Sequence, residues 1–300
     1  MRKFIENQVG LVIFLGALLG FMVPGLSSIP SGYLLLIVAS VIYLSCYNIK
    51  GLDYKSLSVG QIARFYVLRY LVLPFLTFYI VAILNKELAI SITLLFLLPA
   101  GVSSPALSNI YGGNVALGLV LCLLTHALCP LLIPFVSQYT AGTLLSIDIA
   151  AMFLTLLITI VSPVLAFILT RKIRPVYKFC TNYNKLASVL LISAIGFAVI
   201  GMQKQMFLEK LPELPVLVLL TSLGMGSLFV YAWNIERQRP QRDRITYTIV
   251  SGFNNTALGV GVALLYFPPQ TAFFVLVAEV PWCIAPIFFT LFIKRLNRSV

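Results

Sequence analysis

The sequence predicts an all-α polytopic membrane protein, with ten transmembrane helices arranged as two inverted five-helix repeats. Three observations predict it. Composition is the first: 60% of residues are hydrophobic and only 10% are charged, whereas a soluble domain carries about 25% charged residues. With a mean hydropathy of +1.01, the chain has too little charge to cover a water-facing surface, so lipid is its solvent. A backbone in lipid must satisfy its own hydrogen bonds, which leaves helices or a closed barrel. Run length is the second: apolar stretches of roughly 17–25 residues without strict alternation select helices. The third is a polar, helix-breaking motif that occurs once in each half of the chain.

The expected spans are 8–24, 33–49, 61–84, 88–110, 114–138, 147–171, 184–203, 211–233, 243–266 and 268–294. The first follows Met1-Arg2-Lys3 and could pass for a signal peptide, but no small-x-small cleavage site follows it, so it reads as an uncleaved helix. Short connections rich in Gly, Pro and Ser join the spans, and no soluble domain fits between them. Loop charge sets the orientation. With the N-terminus in the cytoplasm, the inner segments hold Arg2, Lys3, Lys50, Lys55, Arg64, Arg69, Arg171, Lys172, Arg174, Lys178, Lys185, Arg237, Arg239, Arg242, Arg244, Lys294, Arg295 and Arg298. The outer segments hold only Lys86, Lys204 and Lys210. This bias alternates correctly across ten spans. It predicts a multi-pass protein of the plasma (inner) membrane with both termini in the cytoplasm.

The motif lies in the fourth and ninth spans. Gly101-Val102-Ser103-Ser104-Pro105-Ala106-Leu107 and Gly252-Phe253-Asn254-Asn255-Thr256-Ala257-Leu258 both read G-x-[SN]-[SN]-x-A-L, offset by 151 residues in a chain of 300. Residues 1–150 and 151–300 therefore read as two repeats of one membrane transport unit. Five helices per repeat make the second enter from the opposite side. Pro99, Gly101 and Pro105 should break the fourth helix, because proline lacks an N–H and glycine permits unusual dihedrals. Gly252, beside Asn254 and Asn255, should break the ninth. A broken helix frees backbone groups that lipid cannot satisfy, and paired breaks at matching repeat positions point to a transporter's binding site. Ser103, Ser104, Asn109, Asn254, Asn255 and Thr256 are the candidate substrate-binding residues. The bland reading makes these polar groups kink-formers and helix glue.

The remaining chemistry is sparse. The five cysteines show no metal-ligand spacing and read as small apolar fillers. The net charge of +12 sits in short loops rather than on one soluble face, which argues against nucleic acid. With one histidine, His126, and one deep carboxylate, Glu279, an enzyme lacks its catalytic constellation. His126 reads as a hydrogen-bonding filler or a proton relay.

At the stretches PAGVSSPALSNIYGGNVAL and SGFNNTALGVGVALLYF, the sequence resembles the bile acid:sodium symporter superfamily, which includes the arsenite efflux permeases. The resemblance implies a core domain from the third to fifth and eighth to tenth helices. It implies a panel domain from the first, second, sixth and seventh. Broken helices would cross in the core, with substrate between core and panel. Several residues depart from the family. Its motif Glu falls on Val250, its Gln on Asn254, its Ser-Asn pair on Ser104 and Pro105, two hydroxyl ligands on Gly118 and Cys122, and a third-helix Gln on Arg69. Its next Asn is kept as Asn255. A hard cation needs several oxygen ligands, so sodium, the family's coupling ion, would find degraded sites here, and no other cofactor is implied.

Two readings stand for Arg69: a built-in positive charge replacing sodium, or a side chain snorkelling to the cytoplasmic face. Glu279, in a Glu-Val-Pro resembling that of arsenite permeases, should be paired, protonated or facing a cavity. Arg69 and His126 are its candidate partners, and proton coupling is one role for it. The arsenite permeases' reactive Cys aligns with Ala100, which argues against arsenite. These residues imply a secondary transporter of a small organic anion, with sodium coupling altered or lost. The rivals are a non-transporting substrate sensor on the same fold and an efflux permease of another anion.

Overall fold

The computed structural model describes residues 9–26, 30, 32–47, 58–142 and 148–298. The inner-segment cations Arg2, Lys3, Lys50 and Lys55 lie outside them. The described chain is helical: α1 Val9–Met22, α2 Gly32–Cys46, α3 Val59–Ala82, α4 Lys86–Leu97, α5 Ser104–Ile110, α6 Val115–Ala141 and α7 Ile149–Thr170. It continues with α8 Arg174–Met202, α9 Lys204–Glu209, α10 Leu214–Ile235, α11 Gln241–Gly252, α12 Thr256–Tyr266, α13 Pro269–Val277 and α14 Glu279–Arg298. Five stretches are long and apolar enough to cross a membrane: Val59–Ala82, Val115–Thr140, Ile149–Thr170, Leu211–Ile235 and Pro269–Leu296. A sixth is α8, taken as Arg174–Asn184 and Leu186–Met202 with a 68° bend between them.

Local sequence explains several of the ends. Asn85, Asn114 and Asp148 each accept a backbone N–H of the following turn, at 2.9, 3.1 and 2.9 Å, and so cap α4, α6 and α7. The C-terminus of α5 closes with Gly113 N–H on the Ser108 carbonyl at 2.7 Å and Gly112 N–H on the Asn109 carbonyl at 3.3 Å. That is a Schellman closure, and it needs the left-handed φ of 74° that Gly112 supplies. In α3, residues Val67–Val72 widen into a π-helical turn. Pro74 follows after Leu73 and has no N–H to give the Tyr70 carbonyl, so the ladder is relieved by a wider turn.

The start of the seventh span was expected at 184, with a loop before it. Instead α8 begins at Arg174, with Pro175 in its first turn. Proline is pre-organised at that position. Val176, Tyr177 and Cys180 then pack on Leu44 and Tyr47, which makes the extra turns worth forming. The tenth span, expected over 268–294, is the stretch Pro269–Leu296, with a single turn residue, Ala278, between α13 and α14.

Two compact units emerge. The first comprises Met1–Gly51, Ile147–Pro212 and Ala257–Phe273. Its centre is the contact of α1 with α8, where a Cβ on Gly16 would strike Ser193 and one on Gly20 would strike the Phe197 carbonyl. Lipid gives no hydrophobic drive between helices, so close backbone packing of small residues does this work. Ser193 Oγ also donates to the Val12 carbonyl at 2.8 Å.

The second unit comprises Leu52–Ser146, Glu213–Thr256 and Phe274–Val300. Its core gathers Phe65, Tyr66 and Tyr70 of α3, Leu117 and Leu121 of α6, and Tyr247 and Val250 of α11. At one end, the Glu236 carboxylate takes Arg64 through both oxygens at 2.9 and 3.0 Å, and Arg239 at 2.9 Å. That pins the start of α3 to the end of α10.

Candidate functional site

The two broken stretches meet inside the second unit. Between α4 and α5 the chain leaves helical geometry, and between α11 and α12 it does so again. The freed backbone groups find each other. Gly101 N–H donates to the Phe253 carbonyl at 2.6 Å, and Asn255 N–H to the Pro99 carbonyl at 2.7 Å. Ala100 and Asn254 thereby form an isolated antiparallel bridge. Ala100 N–H is met by Thr125 Oγ1 of α6 at 3.1 Å. A Cβ on Gly101 would lie only 3.0 Å from the Phe253 carbonyl oxygen, so glycine is what lets the two backbones approach. Pro105 sits in the first turn of α5, where its missing N–H costs nothing. Gly252 closes α11, and any Cβ there would collide with the Phe229 ring.

Arg69 reaches this crossover from the π-helical turn of α3. It is 0% exposed, so it does not snorkel. Its Nη1 donates to the Phe96 carbonyl at 2.5 Å, Nη2 to the Ser251 carbonyl at 3.0 Å and to Asn254 Oδ1 at 3.1 Å, and Nε to Ser251 Oγ at 2.9 Å. Phe96 and Ser251 are the penultimate residues of α4 and α11. The guanidinium therefore sits on the negative ends of two helix dipoles. Its face packs on the Tyr70 ring, 4.6 Å from the centroid. Among the described residues no carboxylate pairs with it.

The other expected site residues divide. Asn254 is 1% exposed and fully engaged, because its Nδ2 donates to the Leu95 carbonyl at 2.8 Å while Oδ1 takes Arg69. It braces the crossover. Asn255 Nδ2 lies 3.1 Å from His126 Nε2, and His126 Nδ1 lies 2.8 Å from the Cys122 carbonyl. A carbonyl can only accept, so Nδ1 carries the proton and Nε2 accepts from Asn255: the neutral tautomer satisfies both ring nitrogens. Thr256 Oγ1 donates to Glu279, the first residue of α14. Neither Arg69 nor His126 makes that contact. The fork of Arg69 is filled by oxygens at the crossover, and both His126 nitrogens are already bonded. Ser103 is half-buried ahead of α5. Ser104 is 0% exposed, and its Oγ has no hydrogen-bond partner among the described residues. Asn109 stands apart, exposed in the last turn of α5, about 8 Å along the helix from Ser104.

Ser251 and Thr125 belong to the site but were not singled out from sequence. Their signal was closeness to polar residues already singled out: Thr125 adjoins His126, and Ser251 adjoins Gly252 of the motif. Among the described residues, no group of three or more His, Cys, Asp or Glu is placed to hold a metal ion.

Polar groups converging on paired helix breaks are the pattern of a membrane transporter. The model for the Sodium Bile acid symporter family matches residues 33–210, more than half of the chain, and the chain belongs to that family. It is 23% identical over 278 residues to "Uncharacterized sodium-dependent transporter YocS" of Bacillus subtilis (strain 168), covering 91% of this chain and 86% of that protein. It is also 26% identical over 189 residues to "Uncharacterized protein YbaS" of the same organism, covering 60% of each.

Proposed function

We propose that this chain is a secondary transporter of a small organic anion that works by alternating access without a bound sodium ion at the crossover, Arg69 supplying the fixed positive charge instead. One observation carries the reading. In secondary transporters, unwound carbonyls and the C-terminal ends of half-helices are the groups that coordinate a coupling cation. Here those groups, the carbonyls of Phe96 and Ser251 with Ser251 Oγ and Asn254 Oδ1, point at the Arg69 guanidinium. A second cation about 4 Å away would be repelled by about 4 kcal/mol at an effective dielectric of 20.

The same reading takes ten spans as two inverted repeats, residues 1–150 and 151–300, with both termini in the cytoplasm of the plasma membrane. It treats α4 with α5, and α11 with α12, as two broken spans. Substrate contacts fall to Ser103, the unpartnered Ser104 hydroxyl, Asn255 and Thr256. Glu279, bonded to Thr256, is the group for proton coupling. Purified protein in liposomes tests this. Small carboxylates that raise its melting temperature are assayed for uptake in sodium and in choline. Uptake that persists in choline is expected, and a strict sodium requirement overturns the reading.

A further inference from the structure

We infer that the α10–α14 face of the second unit holds an anionic phospholipid, one acyl chain lying in an apolar trough and the phosphate on Arg244, Arg237 and Lys294. The trough has a volume of about 620 Å³ and runs between Ser222–Asn234 of α10 and Pro281–Phe292 of α14. Rings line it: Phe229 lies against Phe289 at 5.9 Å and Trp233 against Phe292 at 4.7 Å. Because 229 meets 289 and 233 meets 292, the two helices run in the same direction. Twelve residues of α10 rise about 18 Å, close to the ~15 Å of one leaflet's hydrocarbon. Val230 and Phe288 remain 64% and 67% exposed, as lipid-facing groups do.

Charge tells which occupant fits. Both helices run on into cations at the same end: Arg237 after α10, and Lys294 within the last turns of α14, both exposed. Arg244 lies over the Trp233 ring, 3.5 Å from its centroid, and its Nε donates to the Trp233 carbonyl at 2.7 Å. Among the described residues, its two terminal nitrogens make no hydrogen bond, so four N–H donors are presented at the trough's mouth. The nearby carboxylates are Glu236 and Asp243, against the three cations Arg237, Arg244 and Lys294. Glu236 is 1% exposed and bonded to Arg64 and Arg239, and Asp243 accepts from Asn114 Nδ2 at 2.8 Å. A tryptophan at the end of an apolar trough marks the membrane interface, where basic pockets between helices take lipid headgroups. A zwitterionic lipid brings an ammonium beside its phosphate and so meets this cationic cluster with no net charge.

The test uses purified, delipidated full-length protein. Phosphatidylglycerol, phosphatidylcholine of the same acyl chains, and glycerol 3-phosphate are added separately. Melting temperature and lipid retained in native mass spectrometry are read. Phosphatidylglycerol should raise the melting temperature by several degrees and remain bound, and the other two should do neither. The double variant Arg244→Gln/Lys294→Gln should lose the shift and the bound lipid. Gly226→Trp, which fills the trough and spares every cation, should lose them too. Both variants should melt near the wild type before lipid is added. Equal shifts from phosphatidylcholine, a full shift from glycerol 3-phosphate alone, or retention by both variants overturns the inference. So does delipidated protein that dimerises through this face, shown by Gly226→Trp converting the dimer to monomer.

Discussion

Replacing Arg69 with glutamine tests the crossover most directly. The guanidinium makes four hydrogen bonds, and every acceptor belongs to a buried break in a helix. Hydrogen bonds from a charged donor contribute about 1.5–3 kcal/mol each, and a stranded buried acceptor costs about 1–3 kcal/mol. Glutamine offers two N–H donors on a shorter stem, so it can meet at most half of these acceptors. At least two stranded acceptors at about 1–3 kcal/mol each put the net loss at about 2–6 kcal/mol. Arg69→Lys keeps the charge but has three donors without the planar fork, so it should fall between. The second part of the test is ionic. Removing the fixed charge lifts the ~4 kcal/mol repulsion, about three orders of magnitude in binding. Val250, 0% exposed beside Ser251, is the position on which the family resemblance puts a carboxylate, so Arg69→Gln/Val250→Glu should restore an anionic oxygen site. Thermal melts in sodium chloride and choline chloride at equal ionic strength read all four proteins. The wild type should melt alike in both, Arg69→Gln should melt lower, and the double variant should gain stability in sodium. A wild type stabilised by sodium, an Arg69→Gln variant as stable as the wild type, or a double variant blind to sodium refutes the reasoning.

Three further outcomes follow from other parts of the molecule. Gly20→Leu should separate α1 from α8, because its Cβ alone meets the Phe197 carbonyl; a marked drop in melting temperature and folded yield is expected, with Gly60→Ala, whose Cβ meets nothing within 4 Å, as the control. Asn114→Ala removes the cap of α6 and the bond to Asp243, for a loss of about 1–2 kcal/mol in a denaturation series. Glu279→Gln keeps the bond from Thr256 but cannot exchange a proton, so uptake driven by an inward proton gradient in liposomes should become independent of that gradient; unchanged gradient dependence would remove Glu279 from the coupling.

Much of the fold is written in local chemistry. Proline's missing N–H and the apolar length of each run are properties of a residue and its immediate neighbours. That is why the break around Pro99, Gly101 and Pro105, the stop at Gly252 and the long apolar helices are legible along the chain. The exchange of hydrogen bonds between the two breaks follows from the same shortage, since lipid offers no other partners. Boundaries shifted where packing outweighed local signals, as at Arg174, whose helix is lengthened by Tyr177 and Cys180 settling on Leu44 and Tyr47.

The partners of the polar side chains were decided only in three dimensions. A sequence offers Arg69 two directions, outward to the interface or inward to the breaks. The π-helical turn before Pro74 and the carbonyls of Phe96 and Ser251 choose the inward one. Asn254 reads as a ligand-binding amide until its oxygen and nitrogen are both found engaged, and Glu279 meets Thr256 rather than the cation or the histidine. These outcomes depend on groups as much as 185 residues apart along the chain, and on how many donors each can still offer once its neighbours are bonded. The sequence by itself determined that a lipid-embedded helical chain would break twice in matching places. The tertiary structure decided that a buried guanidinium would occupy the place where the breaks meet, because there two helix ends present carbonyls to one fork of donors.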